Sequence, residues 1–155
     1  MTADNDTRAT RDTRYLRPGR ADRVLMSAMS GLARLGVGVA GSRVLAVRGR
    51  RSGQWRTVPV NLLASDGERY LVAPRGHAQW VRNLRAAGEG ELRLGRRVER
   101  FTAVEVDDAA KVPVLRAYLR RWGWEVGRFF EGVTADATDA QLADIAPGFP
   151  VFRLS

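Results

Sequence analysis

The segment best equipped for chemistry is Gly49–Pro59, GRRSGQWRTVP. Two glycines bracket Arg50, Arg51 and Ser52 in what reads as a tight turn, and Arg56 and Thr57 follow on an outgoing strand. Arg56 lies five residues beyond Arg51, so a hairpin can bring both guanidinium groups towards one anion. Glycines let backbone N–H groups approach phosphate oxygens, and the two hydroxyls add donors. A solvated basic hairpin tip is the competing reading, and the residues alone do not choose between the two. Other chemistry is scarce. There is no cysteine, which removes disulfides, thiol nucleophiles and thiolate metal sites, and the single histidine, His77, cannot build a polyhistidine zinc site.

The turn needs strands to hold it, and the pattern supplies them. Arg43–Arg48 and Trp55–Leu63 flank it as two strands, and Ser65-Asp66-Gly67-Glu68 turns the chain into a third, Arg69–Ala73. His77–Ala87 reads as a short helix with Trp80, Val81 and Leu84 on one face. Glu91–Leu94 and Val98–Val106 read as two more strands around Gly95-Arg96-Arg97. A helix over 109–122 follows, capped by Asp107 or Asp108, then a short helix over Asp139–Ile145 and a last strand, Pro150–Leu154. Ahead of all this, Leu25, Ala28, Met29, Leu32 and Leu35 recur at helical spacing and predict an amphipathic helix over 20–36. Residues 1–18 read as a disordered tail and 19–155 as one domain. Strands joined by tight turns predict a mainly β (α+β) fold: an antiparallel barrel of about six strands with flanking helices.

Formal net charge is +9, and every basic residue except Lys111 is arginine. Arginine presents a planar fork suited to phosphate and carboxylate, so an anionic partner is expected. Nucleic acid is not the expected one, because aromatics are not interleaved with the basic residues and no recognition motif appears. The amphipathic 20–36 segment is compatible with peripheral membrane contact. The opening residues have no apolar run of signal-peptide type, so a cytoplasmic location is expected, and a homodimer is compatible with the sequence.

The pattern GR-[KR]-SG-x-x-R-T-x-P at Gly49–Pro59 resembles the first motif of the deazaflavin (coenzyme F-420)-dependent nitroreductases. A second match follows in Tyr70–Gly76 (YLVAPRG) and the helix HAQWVRNLRA, where Trp80, Asn83, Leu84 and Ala86 fit W-x-x-N-L-x-A; Val98–Val106 is a looser third. The resemblance implies a split β-barrel of the flavin-reductase type with the cofactor in a groove. By position, Arg50, Arg51, Ser52, Arg56 and Thr57 would hold the phosphate and nearby groups of the tail. Pro59 would line the ring pocket, Ala73, Pro74 and Arg75 would border the ring or linker, and Trp80 and Asn83 would position the ring end. The implied activity is hydride transfer from reduced coenzyme F-420 to a quinone, enone or nitroaromatic, with flavin mononucleotide as runner-up cofactor. A non-catalytic deazaflavin or flavin carrier of the same fold is the alternative. This chain has arginine at position 51, where the motif often has lysine; family members that reduce nitro compounds well place tyrosines around the substrate side, whereas here the position after the first motif is Asn61. The C-terminal region offers Tyr118, Trp122, Trp124, Phe129 and Phe130 instead. The proton donor to the product is solvent, Tyr118 or His77.

Overall fold

A computed structural model describes residues 14–17, 19 and 41–155. The 20–36 helix expected from the sequence lies outside the described residues. Six strands, β1 (Ser42–Arg48), β2 (Trp55–Ser65), β3 (Glu68–Val72), β4 (Glu89–Leu94), β5 (Arg97–Glu105) and β6 (Val151–Leu154), close into a barrel. Their order is β1-β2-β3-β6-β5-β4, and every neighbouring pair is antiparallel. Among the described residues three α-helices accompany them: α1 (Gln79–Ala87), α2 (Lys111–Val126) and α3 (Asp139–Ile145). This is the mainly antiparallel barrel with flanking helices that the turn spacing predicts.

Local chemistry explains the element ends. The β2–β3 hairpin turns on Asp66 (φ 51°) and Gly67 (φ 77°), the positive-φ pair a tight two-residue hairpin needs. Asp107 caps the approach to α2, its carboxylate accepting from the Ala110 N–H at 2.9 Å. Thr138 and Gln141 form a capping box at the start of α3. The lone lysine has a structural task. Lys111 is buried, and its Nζ donates to Asp108 at 2.7 Å and to the Ala146 carbonyl at 3.0 Å.

Strand alternation divides the apolar residues between two cores. One cluster gathers Leu45, Val47, Leu71, Leu92, Phe101, Phe152 and Leu154 from the strands with Val81 and Leu84 of α1. The other takes the opposite face of the same strands: Leu63, Val72 and Val151 meet Leu115, Tyr118, Leu119 and Trp122 of α2, Leu142 of α3, and the stacked pair Phe130–Phe149. Helix α2 is thus fixed against the outside of β2, β3 and β6, and α1 against the first cluster. The cleft described next lies between these two helices.

One stretch departs from expectation. Arg14–Leu16, read as the end of a disordered tail, is seated on the barrel. Tyr15 bridges Gly76 in antiparallel fashion, and Leu16 N–H donates to the Arg75 carbonyl at 2.8 Å. The physical reason is the Arg14 guanidinium, which donates to the carbonyls of Pro74 (3.0 Å), Gly148 (3.3 Å) and Phe129 (2.6 Å) and lies 4.3 Å over the Phe149 ring. A mixed-charge composition gives no hint of such an anchor.

Candidate functional site

A cavity of about 570 Å³ opens along β2 between the 49–53 turn, α1 and the C-terminal half of α2. All eleven residues expected from the family resemblance line it: Arg50, Arg51, Ser52, Arg56, Thr57 and Pro59 from the turn and β2, Ala73, Pro74 and Arg75 after β3, and Trp80 and Asn83 from α1. Strand geometry sets its long axis. From Arg56 to Asn61 the chain advances five residues, roughly 17 Å at strand rise. The arginine turn therefore occupies one end, and Asn61, with Tyr118 and Glu125 of α2, the other.

The turn is held from below. Gly49 and Gln54 close it through Gly49 N–H to the Gln54 carbonyl, and Gly53 N–H donates back to Gly49, both at 2.8 Å. Asn83, only 5% exposed, accepts from the Arg50 N–H at 3.2 Å and from Arg50 Nη1 at 2.8 Å. Its side-chain oxygen is thus committed to the turn. Arg50 Nη1 also donates to Gln79 Oε1 at 3.0 Å. Arg51, Ser52, Arg56 and Thr57 are exposed. Among the described residues no carboxylate pairs with Arg50, Arg51 or Arg56.

The middle of the cleft is apolar. Val58, Val60 and Trp80 are half-buried. They pack on the barrel core from below and line the cavity above. Trp80 tilts against Phe152 with centroids 6.1 Å apart, so it is both a core residue and a cleft wall. Tyr15, from the segment ahead of the barrel, joins the same lining.

The far end carries a polar trio. Tyr118 is 2% exposed, its ring set between Trp122 and Phe130, and its hydroxyl is hydrogen-bonded by the Asn61 side chain. Burial pushes the phenol well above its ordinary range, and the nearby Glu125 carboxylate pushes the same way. Tyr118 therefore stays protonated across physiological pH, and its O–H is available to donate. Asn61 Nδ2 also approaches Glu125 Oε2 at 3.5 Å. Among the described residues five arginines (50, 51, 56, 75 and 128) and one carboxylate, Glu125, line the cleft, so their field favours an anion.

The aromatic set expected around the substrate splits. Tyr118 and Phe129 line the cleft, Trp122 and Phe130 are fully buried in the core, and Trp124 is 78% exposed to solvent. His77 does not line the cavity. Its Nε2 sits 3.3 Å from the Pro147 carbonyl, and burial holds its imidazole below the usual histidine range. Sequence reasoning missed Gln79, Glu125, Arg128 and Tyr15. Gln79 had a usable signal, since it lies one turn before Asn83 on the same helix face.

The lowered His77 pKa has a stability consequence. The folded protein binds this proton less readily than the unfolded chain, whose histidine titrates near 6.5. The contribution of neutral His77 is fully present above that value and is lost as pH falls through the folded pKa. Melting temperature should therefore drop on acidification below about pH 6.5. His77→Gln should flatten that part of the profile, and an unchanged profile would remove His77 as its source.

A closed antiparallel barrel with an elongated, arginine-ended and apolar-floored cleft defines a split-barrel protein that binds a flat, anionic cofactor. The chain belongs to the F420H2-dependent quinone reductase family, whose model matches residues 22–127. It is a deazaflavin-dependent reductase, an oxidoreductase that uses reduced coenzyme F420. Among solved structures, an F420-H2 dependent reductase (FDR-A) is similar at TM-score 0.52 and 18% identity, over 74% of this chain and 94% of that one. A structure described as a domain-swapped dimer matches at TM-score 0.53 and 17% identity, over 88% and 94%. These two likenesses bear on the fold. No curated protein matches the chain. Among the described residues no helix is long and apolar enough to cross a membrane.

The residues present fit this coenzyme. A phosphodiester and a run of glutamates need guanidinium groups not already taken by carboxylates, and Arg50, Arg51 and Arg56 have no such partner among the described residues. A planar ring needs a half-exposed apolar floor, and Val58, Val60 and Trp80 supply it.

Proposed function

We propose that this reductase passes its reducing equivalents to a quinone-type acceptor bound at the Asn61–Tyr118–Glu125 end of the cleft. The observation that carries the reading is the polarity of that cleft: at one end arginines that have no carboxylate partner among the described residues, an apolar floor in the middle, and Asn61, Tyr118 and Glu125 at the other. Arg50, Arg51 and Arg56, with Ser52 and Thr57, hold the phosphate and glutamate tail, and Asn83 and Gln79 fix the direction of Arg50. Pro59, Ala73, Pro74, Arg75 and Trp80 border the ring. When bound, the reduced coenzyme supplies a hydride from ring carbon 5, so the protein needs no nucleophile of its own.

The protein's contribution is position and charge. The apolar floor excludes water from the reacting face. The Tyr118 hydroxyl, kept neutral by burial, donates to an acceptor carbonyl oxygen on which negative charge develops. Asn61 orients that hydroxyl. Glu125 accepts from the hydroxyl of the reduced product and provides a route for proton exchange with solvent. Enones and nitroaromatics present the same kind of oxygen and belong to the same reading, but a quinone offers a planar apolar body to match the floor.

The test is a turnover experiment. Reduced coenzyme, protein and a soluble quinone should regenerate the absorbance of the oxidised coenzyme over many cycles. Tyr118→Phe should lower kcat while leaving coenzyme affinity in place, because the phenol lies at the other end from the tail. A protein that binds the coenzyme and turns over nitroaromatics but no quinone would overturn the acceptor assignment.

A further inference from the structure

We propose that the Arg14–Leu16 strap is a working wall of the cofactor cleft: Tyr15 covers the ring of the bound coenzyme, and Arg14 positions Tyr15 to do so. The proposal rests on the coenzyme assignment and on the ring seat described above. Among the described residues that line the cleft, Tyr15 alone comes from ahead of the first strand, and it stands beside Trp80, Val58 and Val60 in the half-buried apolar group above the core. An aromatic side chain left half-exposed beside such a floor is a surface a flat heterocycle would cover.

The strap is anchored too firmly to be an idle tail. The Arg14 guanidinium joins three separate rim segments, the Pro74 bend, the 3-10 turn ending at Phe129 and the turn before β6 at Gly148. Its carbonyl accepts from His77 N–H at 2.6 Å, and Leu16 is held twice by Arg75: its N–H donates to the Arg75 carbonyl at 2.8 Å, and its own carbonyl accepts from Arg75 Nη1 at 3.3 Å. Of the segments so joined, Pro74, Arg75 and Phe129 line the cleft. The barrel has also left room for the strap. Gly76 has φ +90°, and a Cβ there would collide with the Arg14 carbonyl. A side chain at position 76 would therefore expel the strap while leaving Tyr15 itself unaltered.

Because Tyr15 contacts the ring only when the strap is seated, strap docking and coenzyme binding must each favour the other. The chain carries its own reporter of docking: the Arg14–Tyr15 bond is a trypsin site, whereas Arg17–Pro18 resists cleavage.

The test uses the full-length protein and the oxidised coenzyme, with affinity read from the change in coenzyme absorbance and strap release read from the rate of appearance of the 15–155 fragment under limited trypsin. Saturating coenzyme should slow that cut in the native protein. Tyr15→Ala should weaken coenzyme affinity about tenfold, and Tyr15→Phe, which keeps the ring, should recover most of it. Gly76→Ala should weaken affinity similarly and speed the cut. Should Gly76→Ala destabilise the barrel, Arg14→Ala should show the same loss of affinity with trypsin no longer informative at that bond. If Tyr15→Ala and Arg14→Ala bind with native affinity, or if the native cut is indifferent to saturating coenzyme, the strap is no part of the site. A native protein that binds no coenzyme would overturn the ring seat and the strap together, whereas native binding with unaffected variants overturns the strap alone.

Discussion

Replacing Arg51 and Arg56 together with alanine is expected to weaken coenzyme binding by about two decades or more, with the melting temperature nearly unchanged. The magnitude follows from the contacts. A hydrogen bond to a charged group contributes roughly 1.5–3 kcal/mol, and about 1.4 kcal/mol is a decade in affinity. The unchanged stability follows from the environment. Both side chains are exposed, neither has a carboxylate partner among the described residues, and neither belongs to either core cluster. Arg50 is the wrong residue for this experiment, because its contacts with Asn83 and Gln79 fix the turn, and its loss would confuse binding with local structure. Added salt should weaken native binding and have less effect on the double variant, since exposed contacts are screened within about 10 Å at 0.1 M. A titration of coenzyme absorbance at two ionic strengths measures both. Unchanged affinity in the double variant would take these two arginines out of the site.

That the arginine turn could be found from the sequence reflects the kind of signal it carries. Turn residues, strand alternation and hairpin spacing are local, and each is written within about ten residues of where it acts. Hence β2 and its turn, the Asp66-Gly67 hairpin, α1 and α3 were all legible. The order of strands was not. β6 enters between β3 and β5, and that pairing joins Leu71 to Phe152 and Glu105 to the same Phe152, contacts for which the sequence holds no local pattern. The strap was hidden for a related reason. Arg14 is held by carbonyls 60, 115 and 134 residues away, and backbone acceptors leave no side-chain pattern to read. Asn83 is a mixed case. Its membership of the cleft followed from the family motif, but its hydrogen bonds to Arg50 did not, because an amide carries no sign in the sequence of which groups it will bond. The aromatic set on α2 was readable in part. Tyr118 and Trp122 are four residues apart and share a face, whereas Trp124, two residues on, points to solvent.

Trp122→Ala is expected to destabilise the fold by about 3–5 kcal/mol, the range for removing a large aromatic from a closed core. Trp122 is fully buried, with its ring centroid 5.2 Å from that of Tyr118, in the cluster where α2 meets Leu63, Val72 and Val151 of the barrel. Trp122 shares its cluster with Leu115, Leu119 and Phe130, and the Arg121 guanidinium lies 4.9 Å over its ring. The effect should reach the cleft selectively. Tyr118, Glu125 and Phe129 are carried by α2 and the turn after it, so a loosened α2 blurs the end of the cleft proposed to hold the acceptor. The arginine turn is braced by Asn83 and Gln79 of α1, which belongs to the other core cluster, so the tail end stays formed. At a temperature where the variant is still folded, quinone KM should rise and kcat fall while coenzyme affinity holds within a few-fold. Denaturant unfolding gives the stability loss, and coenzyme titration with steady-state kinetics gives the rest. A variant that loses coenzyme affinity as steeply as turnover would show that the two ends of the cleft are coupled through the barrel rather than carried separately by α1 and α2.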